Sequence, residues 1–367
     1  MAYVAVKGGR VAIENAAKYL DVERTRGKSS PLEVKQIKEQ LHLLVDRVMG
    51  EGSLYSPDLA ALAIKQSSGD MLESAFILRA YRTTQSRLGF SLPGPTDEMR
   101  IIRRISAAFK DIPGGQVLGP TPDYSLRLMD FDLFEDSHKK RQELIRCIFS
   151  DICDVDVMPE SFPKIVELLR KENLLEERTR KKPSDPKLDD VTRGSITFPA
   201  SRPVSLQSMA RGETGGMLLL AYSNMRGYGN VHPTVGELRV GFLPVKIRHP
   251  HTGEEYTIGE IKVTEAEIIS QSKTSVGTPK FTLGYGLCFG HNEVKAISMA
   301  VLDRATQADE PKAPSEDQEF VLTHTDGIES MGFCNHFKLP HYVTFQSSLD
   351  RIRKTQEVWD EPEAVVE

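Results

Sequence analysis

The sequence predicts an α+β fold, with a helical N-terminal half followed by a mixed, β-richer C-terminal half. Helix signals dominate the first half, where apolar residues recur at helical spacing, as in Ile37, Leu41 and Leu44. In the second half, short β-branched runs alternate with glycines, and Leu238–Phe242 and Tyr256–Val263 are typical of them. A run of helices followed by strands and helices together places the chain in the α+β class.

The change of pattern follows a charged segment punctuated by Pro183 and Pro186, which is typical of a linker. We therefore predict three regions. Residues 1–177 form a mainly helical domain with a short N-terminal strand, and residues 178–193 form the linker. Residues 194–367 form an α+β domain that carries a histidine site and a C-terminal tail.

Capping residues predict where several helices begin. Ser56 before Pro57 marks one helix start, and Asp70 with Glu73 gives a capping-box-like start to a helix over Met71–Arg87.

A further helix is predicted from Thr96 through Phe109. We expect its arginines to lie on a solvated face, since a charge run on a helix usually does; they are Arg100, Arg103 and Arg104.

The composition describes a soluble globular protein with a substantial core. The 367 residues are 39% hydrophobic and 27% charged, and the net charge of −5 gives no general attraction to nucleic acid. No run approaches the roughly 20 apolar residues that span a bilayer, and no signal peptide is evident, so we expect a cytoplasmic protein. The four cysteines form no CxxC pair, which argues against a disulfide scaffold and against an iron–sulfur cluster held by this chain alone.

Three of the nine histidines cluster near the C-terminus, in HTD at 324–326 and CNHFKLPH at 334–341. A short strand over Phe320–Thr323 is predicted to lead into His324. Imidazole, thiolate and carboxylate are the ligands that Zn²⁺ prefers, and a catalytic zinc keeps one position open. The cluster therefore suggests a metal site.

The spacing of His336 and His341 tests that interpretation. Residues five positions apart share a face of neither a helix nor a strand, and Pro340 would break a helix. If the two rings converge, a loop bent at Pro340 brings them together. The spacing lies outside the standard zinc patterns, so a packed loop whose histidines bond to backbone is the alternative.

Two glycine-containing segments are candidate anion sites. Gly114 and Gly115 would let backbone N–H groups approach an anion, with Lys110 adding positive charge, although a structural crossover explains them equally well. Arg226 beside Gly227 is suited to a phosphate or a sugar. The same glycine–aromatic pattern recurs in LGYG at 283–286 and is common in β structure, which is the alternative for both copies.

Eight strings along nearly the whole chain occur in the order YVAVKGG, LAIKQSSGD, LRAYRTT, RRISAAFKDIPGGQ, RGYGNVHP, FTLGYGLCFG, EFVLTHTDGIES and HFKLPHYV. Together they resemble the PhnI family, whose members are core-complex subunits of the bacterial carbon–phosphorus lyase system. Residues 138–177 and 248–279 follow the family less clearly, and nothing is carried over to them.

The resemblance implies a reaction and a set of partners. With PhnG, PhnH, PhnJ and the ATPase-like PhnL, and possibly PhnK, such a subunit replaces the purine of ATP or GTP, bound with magnesium, by a phosphonate at ribose C1. The product is a ribose 1-phosphonate 5-triphosphate. Alone, the subunit acts as a purine nucleoside triphosphate nucleosidase. The radical cleavage and its iron–sulfur cluster belong to PhnJ, in agreement with the cysteine count here.

The resemblance also implies a zinc site. The family's H-x-K-L-P-H pattern matches His336 and His341, which would be zinc ligands near the boundary with PhnJ. The remaining ligands would come from water, substrate or PhnJ, and Cys334 is not assigned.

Displacing a purine from C1 passes through an oxocarbenium-like state, as in glycoside hydrolysis. It needs an anion site for the triphosphate, a carboxylate near C1 and a proton donor for the departing base. Our candidates for the anion site are Lys110 with Gly114 and Gly115, and Arg226 with Gly227. The candidate carboxylates are Asp111, Glu237 and Asp326, and the candidate acid is His324.

Two other functions remain open. The chain could instead be a non-catalytic scaffold that positions PhnJ and supplies two histidines to a shared zinc site. A free-standing zinc phosphohydrolase fits least well, because His336, His341 and Cys334 do not form an HxH or HExxH pattern.

Overall fold

The structure, a computed structural model, describes residues 9–151, 159, 162–176, 189–226, 232–271 and 278–360. It confirms the α+β class and the helical N-terminal half. The helices of that half are α1 (Arg10–Arg24), α2 (Val34–Gln40), α3 (His42–Gly52), α4 (Pro57–Gln66), α5 (Met71–Thr83), α6 (His138–Asp151) and α7 (Ile165–Lys171).

The remaining elements mix strands and helices. The strands are β1 (Arg100–Ile105), β2 (Thr234–Arg248), β3 (Glu255–Gln271) and β4 (Phe281–Phe289). The helices of the C-terminal half are α8 (Arg202–Arg211), α9 (Thr214–Met225), α10 (Glu293–Ala305), α11 (Gln318–His324), α12 (Gly327–His336) and α13 (Tyr342–Asp360). In the described part of the chain, no helix has the length and apolar character that crossing a membrane requires.

Helices α2 to α5 pack around their own small core, which includes Val48, Met49 and Leu78. The predicted caps are confirmed: the Ser56 side chain accepts a hydrogen bond at the start of α4, and Asp70 does so at the start of α5.

One antiparallel sheet joins the two halves of the chain. Its order is β1-β2-β3-β4, so its first strand comes from the N-terminal half and the other three come from the C-terminal half. The predicted N-terminal strand and most of the predicted linker at 178–193 lie outside the described residues, so the domain boundary stays a prediction.

The predicted helix over Thr96–Phe109 is wrong, because β1 occupies most of it. Arg103 and Arg104 are fully buried rather than solvated. Each is paired: Arg104 Nε lies 2.5 Å from Glu237 Oε1, and Arg103 Nε lies 2.7 Å from Glu293 Oε1. Burying an arginine requires such a partner, and the sequence alone did not reveal those two carboxylates.

The sheet and α10 approach each other closely at β4. A Cβ on Gly284 would lie 2.0 Å from the Ala300 carbonyl oxygen, and one on Gly286 would lie 2.1 Å from that of Ala296. The second glycine–aromatic motif is therefore a strand packed directly on helix backbone.

The opposite face of the sheet carries buried charged residues. Lys164 Nζ lies 2.8 Å from Glu265 and 3.2 Å from Glu267, and Tyr285 donates a hydrogen bond to Glu265. Next to them, Glu237 pairs with Arg239 at 2.9 Å. Polar groups buried here are thus largely satisfied by one another, as buried charges must be.

The predicted strand over Phe320–Thr323 is also wrong, since these residues lie in α11. The carboxylate of Asp317 accepts a hydrogen bond from the Phe320 amide at 2.9 Å and caps that helix. The predicted C-terminal tail is largely helical, as α13.

Candidate functional site

The two histidines of the H-x-K-L-P-H pattern converge. His336 is the last residue of α12, His341 directly precedes α13, and Pro340 lies in the turn between them. Their Nε2 atoms are 2.9 Å apart, and the rings are nearly perpendicular, with centroids 4.6 Å apart. The rings converge, and the turn that brings them together contains Pro340, as expected for that case; their role as metal ligands stays a prediction.

The hydrogen bonds of the pair set its tautomers. His341 Nδ1 lies 2.5 Å from the Leu339 carbonyl oxygen, so this nitrogen carries the proton and Nε2 presents a lone pair. The Nε2–H of His336 then donates to that lone pair. A backbone carbonyl behind a ligating histidine is a common arrangement in metal sites, because it orients the ring.

The geometry fits two ligands of a zinc ion after a small opening. With Zn–N bonds of about 2.0–2.1 Å and tetrahedral angles, two ligating nitrogens lie about 3.3 Å apart, slightly farther than observed here. His336 Nδ1 is buried without a hydrogen-bond partner in the described part of the chain. When Nε2 binds a metal, the proton moves to Nδ1, which then needs an acceptor from outside these contacts.

The pair supplies only part of a coordination sphere. Among the described residues, no group of three or more histidine, cysteine, aspartate or glutamate side chains could hold a metal ion. The surrounding surface is apolar and exposed, with Phe333, Phe337 and Phe345 each at least 60% accessible. Such a patch around an incomplete site is typical of a surface that another molecule covers.

His324 lies at the end of α11, where its Nδ1 is 2.8 Å from the Phe320 carbonyl oxygen and its ring stacks on that of Phe320. The side chain is exposed, so Nε2 faces outward. An imidazole anchored through Nδ1 and open at Nε2 can accept a proton at Nε2 and, once doubly protonated, donate it.

Asp326 has a structural task. It caps α12 by accepting from the Ile328 and Glu329 amides, and both of its oxygens accept from Nη1 of buried Arg79, at 2.8 and 3.0 Å. Arg79 also donates to the carbonyl oxygens of Glu51 and Arg211. Asp326 therefore fixes the start of the helix that ends at His336.

Lys110, Gly114 and Gly115 lie in the exposed loop after β1, and Asp111 is exposed beside them. Both glycines have positive φ, and the Gly115 N–H already donates to the Ile112 carbonyl at 2.8 Å. Buried Arg104 donates to the carbonyl oxygens of Pro113 and Gly115. This turn thus holds an arginine, as the structural-crossover alternative predicts.

Arg226 is exposed at the C-terminal end of α9, and Gly227 lies outside the described residues. Glu237 is only 2% exposed; Arg104, Arg239 and the Ile165 amide occupy its oxygens. Among the described contacts, none joins either side chain to the histidine pair. The structure brings His336 and His341 together, and among the described contacts none joins His324 or Asp326 to that pair.

Sequence reasoning missed a group of arginines next to α5. Arg79 and Arg82 belong to the string LRAYRTT, and Arg87 follows it; α8 contributes Arg211. Arginines at positions i and i+3 of a predicted helix share one face, and that spacing was the available signal.

The chain is similar over nearly its whole length to known proteins. Residues 2–359 match the sequence model of the family described as "Bacterial phosphonate metabolism protein (PhnI)". The chain is 54% identical over 364 residues to a putative C-P lyase subunit protein HtxH of Stutzerimonas stutzeri, covering 97% of this chain and 96% of that protein.

Two further relatives are named alpha-D-ribose 1-methylphosphonate 5-triphosphate synthase subunit PhnI. The protein of Rhizobium meliloti (strain 1021) is 44% identical over 371 residues, which cover 99% of this chain and 97% of that protein. The protein of Escherichia coli (strain K12) is 45% identical over 364 residues, covering 97% and 98%.

Proposed function

This chain belongs to the PhnI family of bacterial phosphonate metabolism proteins, and from that premise we propose that it is a working subunit of a carbon–phosphorus lyase assembly. In this proposal it takes part in replacing the purine of ATP or GTP by a phosphonate at ribose C1, and by itself it hydrolyses the same nucleotides to base and ribose 5-triphosphate. Convergence of His336 and His341 is the observation that supports it most directly.

We assign the metal to this pair. His336 and His341 would hold a zinc ion through Nε2, and the Leu339 carbonyl keeps the His341 ring in the required tautomer. A bound zinc polarises oxygen atoms of a ligand and stabilises negative charge on them. The exposed phenylalanines beside the pair suit a partner subunit, which we propose to be PhnJ, that completes the coordination.

The other residues take supporting roles. His324, when its ring is doubly protonated, donates the Nε2 proton to the departing purine while the α11 backbone holds its Nδ1–H. Asp326 positions α12 through its cap and its ion pair with Arg79, and its carboxylate lies two residues from His324. Glu237 forms ion pairs with Arg104 and Arg239 on the charged face of the sheet and so stabilises the fold around it. Lys110 with Gly114 and Gly115, and Arg226 with Gly227, remain candidates for contacts to the magnesium-bound triphosphate.

A scaffold function is the second candidate. It is favoured by the incomplete ligand set among the described residues and by the apolar surface around it. In that case the chain positions PhnJ and lends two histidines to a shared site, without chemistry of its own.

One experiment separates the two. The purified full-length chain, with and without partner subunits, is incubated with ATP or GTP, and free base is measured together with the zinc content of the protein. Base release by the chain alone supports the enzyme, whereas release only after partners are added supports the scaffold. If no base is released under either condition, the proposed reaction is contradicted.

Variants of the pair make the test specific to the site. His336→Ala and His341→Ala should each lower bound zinc and reduce turnover by about 10²–10³, the usual effect of losing one charge-stabilising group. His251→Ala is the matched control, because His251 lies with His249 in another exposed histidine pair, 5.8 Å between ring centroids. Zinc content unchanged in all three variants would exclude the proposed metal site.

A further inference from the structure

A cavity of about 240 Å³ lies between α5, the end of α8 and β4. Its apolar wall is formed by β4, and its polar wall contains Ser53 and three arginines, namely Arg82, Arg87 and Arg211. None of the candidate residues discussed above lines it.

The charges in this cavity are unbalanced. Arg87 forms a close ion pair with Asp190, which accounts for one positive charge. Burial would raise the pKa of Asp190, but hydrogen bonds from Thr192 and the Arg87 guanidinium outweigh it and lower the pKa to about 2. Asp190 is therefore a carboxylate at neutral pH and leaves the lining with a net charge of +2.

Arg82 and Arg211 bond only to neutral groups within the described part of the chain. Arg82 Nη2 donates to the Thr192 hydroxyl at 2.7 Å. Arg211 donates from Nε to the Ser53 hydroxyl at 3.1 Å and from Nη1 to the Val191 carbonyl at 2.8 Å. Two partly buried guanidinium groups without a carboxylate partner are costly unless an anion joins them.

The pKa values of the two arginines also indicate an excess of positive charge in the cavity. The pKa of Arg211 is lowered to about 10, mainly by desolvation and then by the charge of Arg79, while Asp326 and Asp190 oppose the decrease. Desolvation is also the largest cause of the lowered pKa of Arg82; the charge of Asp190 opposes it, and those of Arg87 and Arg193 add to it. Like charges are thus held close together, as in sites that bind anions.

We propose that this arginine pocket binds a tetrahedral phosphorus oxyanion, either a phosphonate or one end of a polyphosphate. Guanidinium forks match the oxygens of such a group in pairs. A phosphate ester carries about −1.5 to −2 charges at neutral pH, which balances the pocket better than a single carboxylate does.

The size of the cavity is consistent with a small oxyanion as the ligand. Ligand pockets for drug-sized molecules measure about 300–1,000 Å³, and one water occupies about 30 Å³ of liquid. A cavity of about 240 Å³ therefore holds a group of a few heavy atoms rather than a whole nucleotide. This inference does not depend on the proposed exchange reaction, because the site is defined by charge and size alone.

Ser53 offers a direct test. It ends α3 with φ 55°, in the left-handed region that aspartate and asparagine tolerate, and its hydroxyl contacts Arg211. Ser53→Asp places a carboxylate where the anion would lie, so it should raise the melting temperature of the unliganded chain and weaken anion binding. Ser53→Asn keeps the shape without the charge and is the matched control.

Binding is measured calorimetrically on the full-length chain with inorganic phosphate, methylphosphonate and tripolyphosphate at constant ionic strength. We expect wild type and Ser53→Asn to bind within about threefold of each other, and Ser53→Asp to bind about 10- to 100-fold more weakly, as for a lost charged hydrogen bond. Tighter binding of methylphosphonate than of tripolyphosphate indicates a phosphonate site. Tighter binding of tripolyphosphate indicates a polyphosphate site. Equal affinity for both supports a general oxyanion site.

A second pair of variants guards against misfolding of the first. Arg82→Gln should weaken binding by a similar factor, whereas Arg304→Gln should not. Arg304 is also desolvated and hydrogen-bonded to a neutral partner, Asn224, but lies away from the pocket. Absence of binding by wild type, or equal binding by Ser53→Asp and Ser53→Asn, overturns the proposal. Since no turnover is measured, that result would leave the proposed reaction standing.

Discussion

Glu267 is one of three glutamates on the charged face of the sheet. It is 6% exposed, and its Oε2 has no hydrogen-bond partner in the described part of the chain. Desolvation raises the pKa of Glu267 to about 7; Lys164 opposes the rise, and the charges of Glu265 and Glu237 add to it. The folded protein therefore binds this proton more tightly than the unfolded chain does.

The sign of the pH effect follows from that difference. Between pH 4.5 and about 7 the native state holds more protons than the unfolded state, so stability falls as the pH rises. We expect Glu267→Gln to flatten the decrease in melting temperature between pH 5 and 8. Glu260→Gln, at an exposed ion pair with Arg100, should leave the slope as in wild type. Equal slopes in the two variants would contradict the raised pKa.

At the same scale, the histidine pair shows what sequence can predict. Pro340 and the five-residue spacing excluded a shared face of a helix or strand, so the turn followed from local rules. The partners of Arg103 and Arg104 did not follow, because Glu293 and Glu237 are more than a hundred residues away. Buried ion pairs depend on tertiary contacts that local patterns do not contain.

For helices and strands, too, local signals were predictable from sequence and effects of tertiary contacts were not. Helix starts with a strong cap, such as Asp70 before α5, were predictable. The helix expected over Thr96–Phe109 is a strand because pairing with β2 and the buried carboxylates outweigh local propensity. In the other direction, a single cap at Asp317 makes Phe320–Thr323 helical despite its β-branched residues.

The contact between β4 and α10 predicts a large sensitivity to small changes. Gly284→Ala or Gly286→Ala would place a methyl group about 2 Å from a helix carbonyl oxygen, and backbone on both sides cannot move away cheaply. We expect each variant to lose at least about 3 kcal/mol of unfolding free energy or to fail to fold.

Gly89→Ala is the control for this pair. No atom lies within 4 Å of a Cβ built on Gly89, so the change should stay within about 0.5 kcal/mol of wild type in urea unfolding. If Gly284→Ala and Gly286→Ala unfold at the same urea concentration as Gly89→Ala, the close packing of α10 on β4 is excluded.

On the scale of the whole molecule, two N-terminal segments leave large apolar side chains exposed to solvent. No residue of α1 is buried, and the segment 118–151 exposes a dozen large apolar side chains. In α6 they form one stripe along the helix: Leu144, Ile145, Ile148 and Phe149. Apolar surface of this extent is typical of subunits that pack against other chains, as the names of the relatives imply.

The stripe predicts where partners dock. Ile148→Glu should abolish co-purification with the other lyase subunits while leaving the melting temperature of the isolated chain within about 1–2 °C, because the side chain is 51% exposed. Ser150→Glu adds the same charge to exposed α6 on the side opposite the stripe and should co-purify normally. Loss of co-purification in both variants, or in neither, would contradict docking through this stripe.

Helix α12 has Asp326 at one end and His336 at the other, and its ten residues span about 15 Å. Arg79 holds that first end and also the main chain of Arg211, a wall of the arginine pocket. If anion binding in the arginine pocket shifts Arg211, that binding is therefore thermodynamically linked to metal binding by His336 and His341. By reciprocity, zinc would then change the affinity for the oxyanion by the same factor as the oxyanion changes that for zinc.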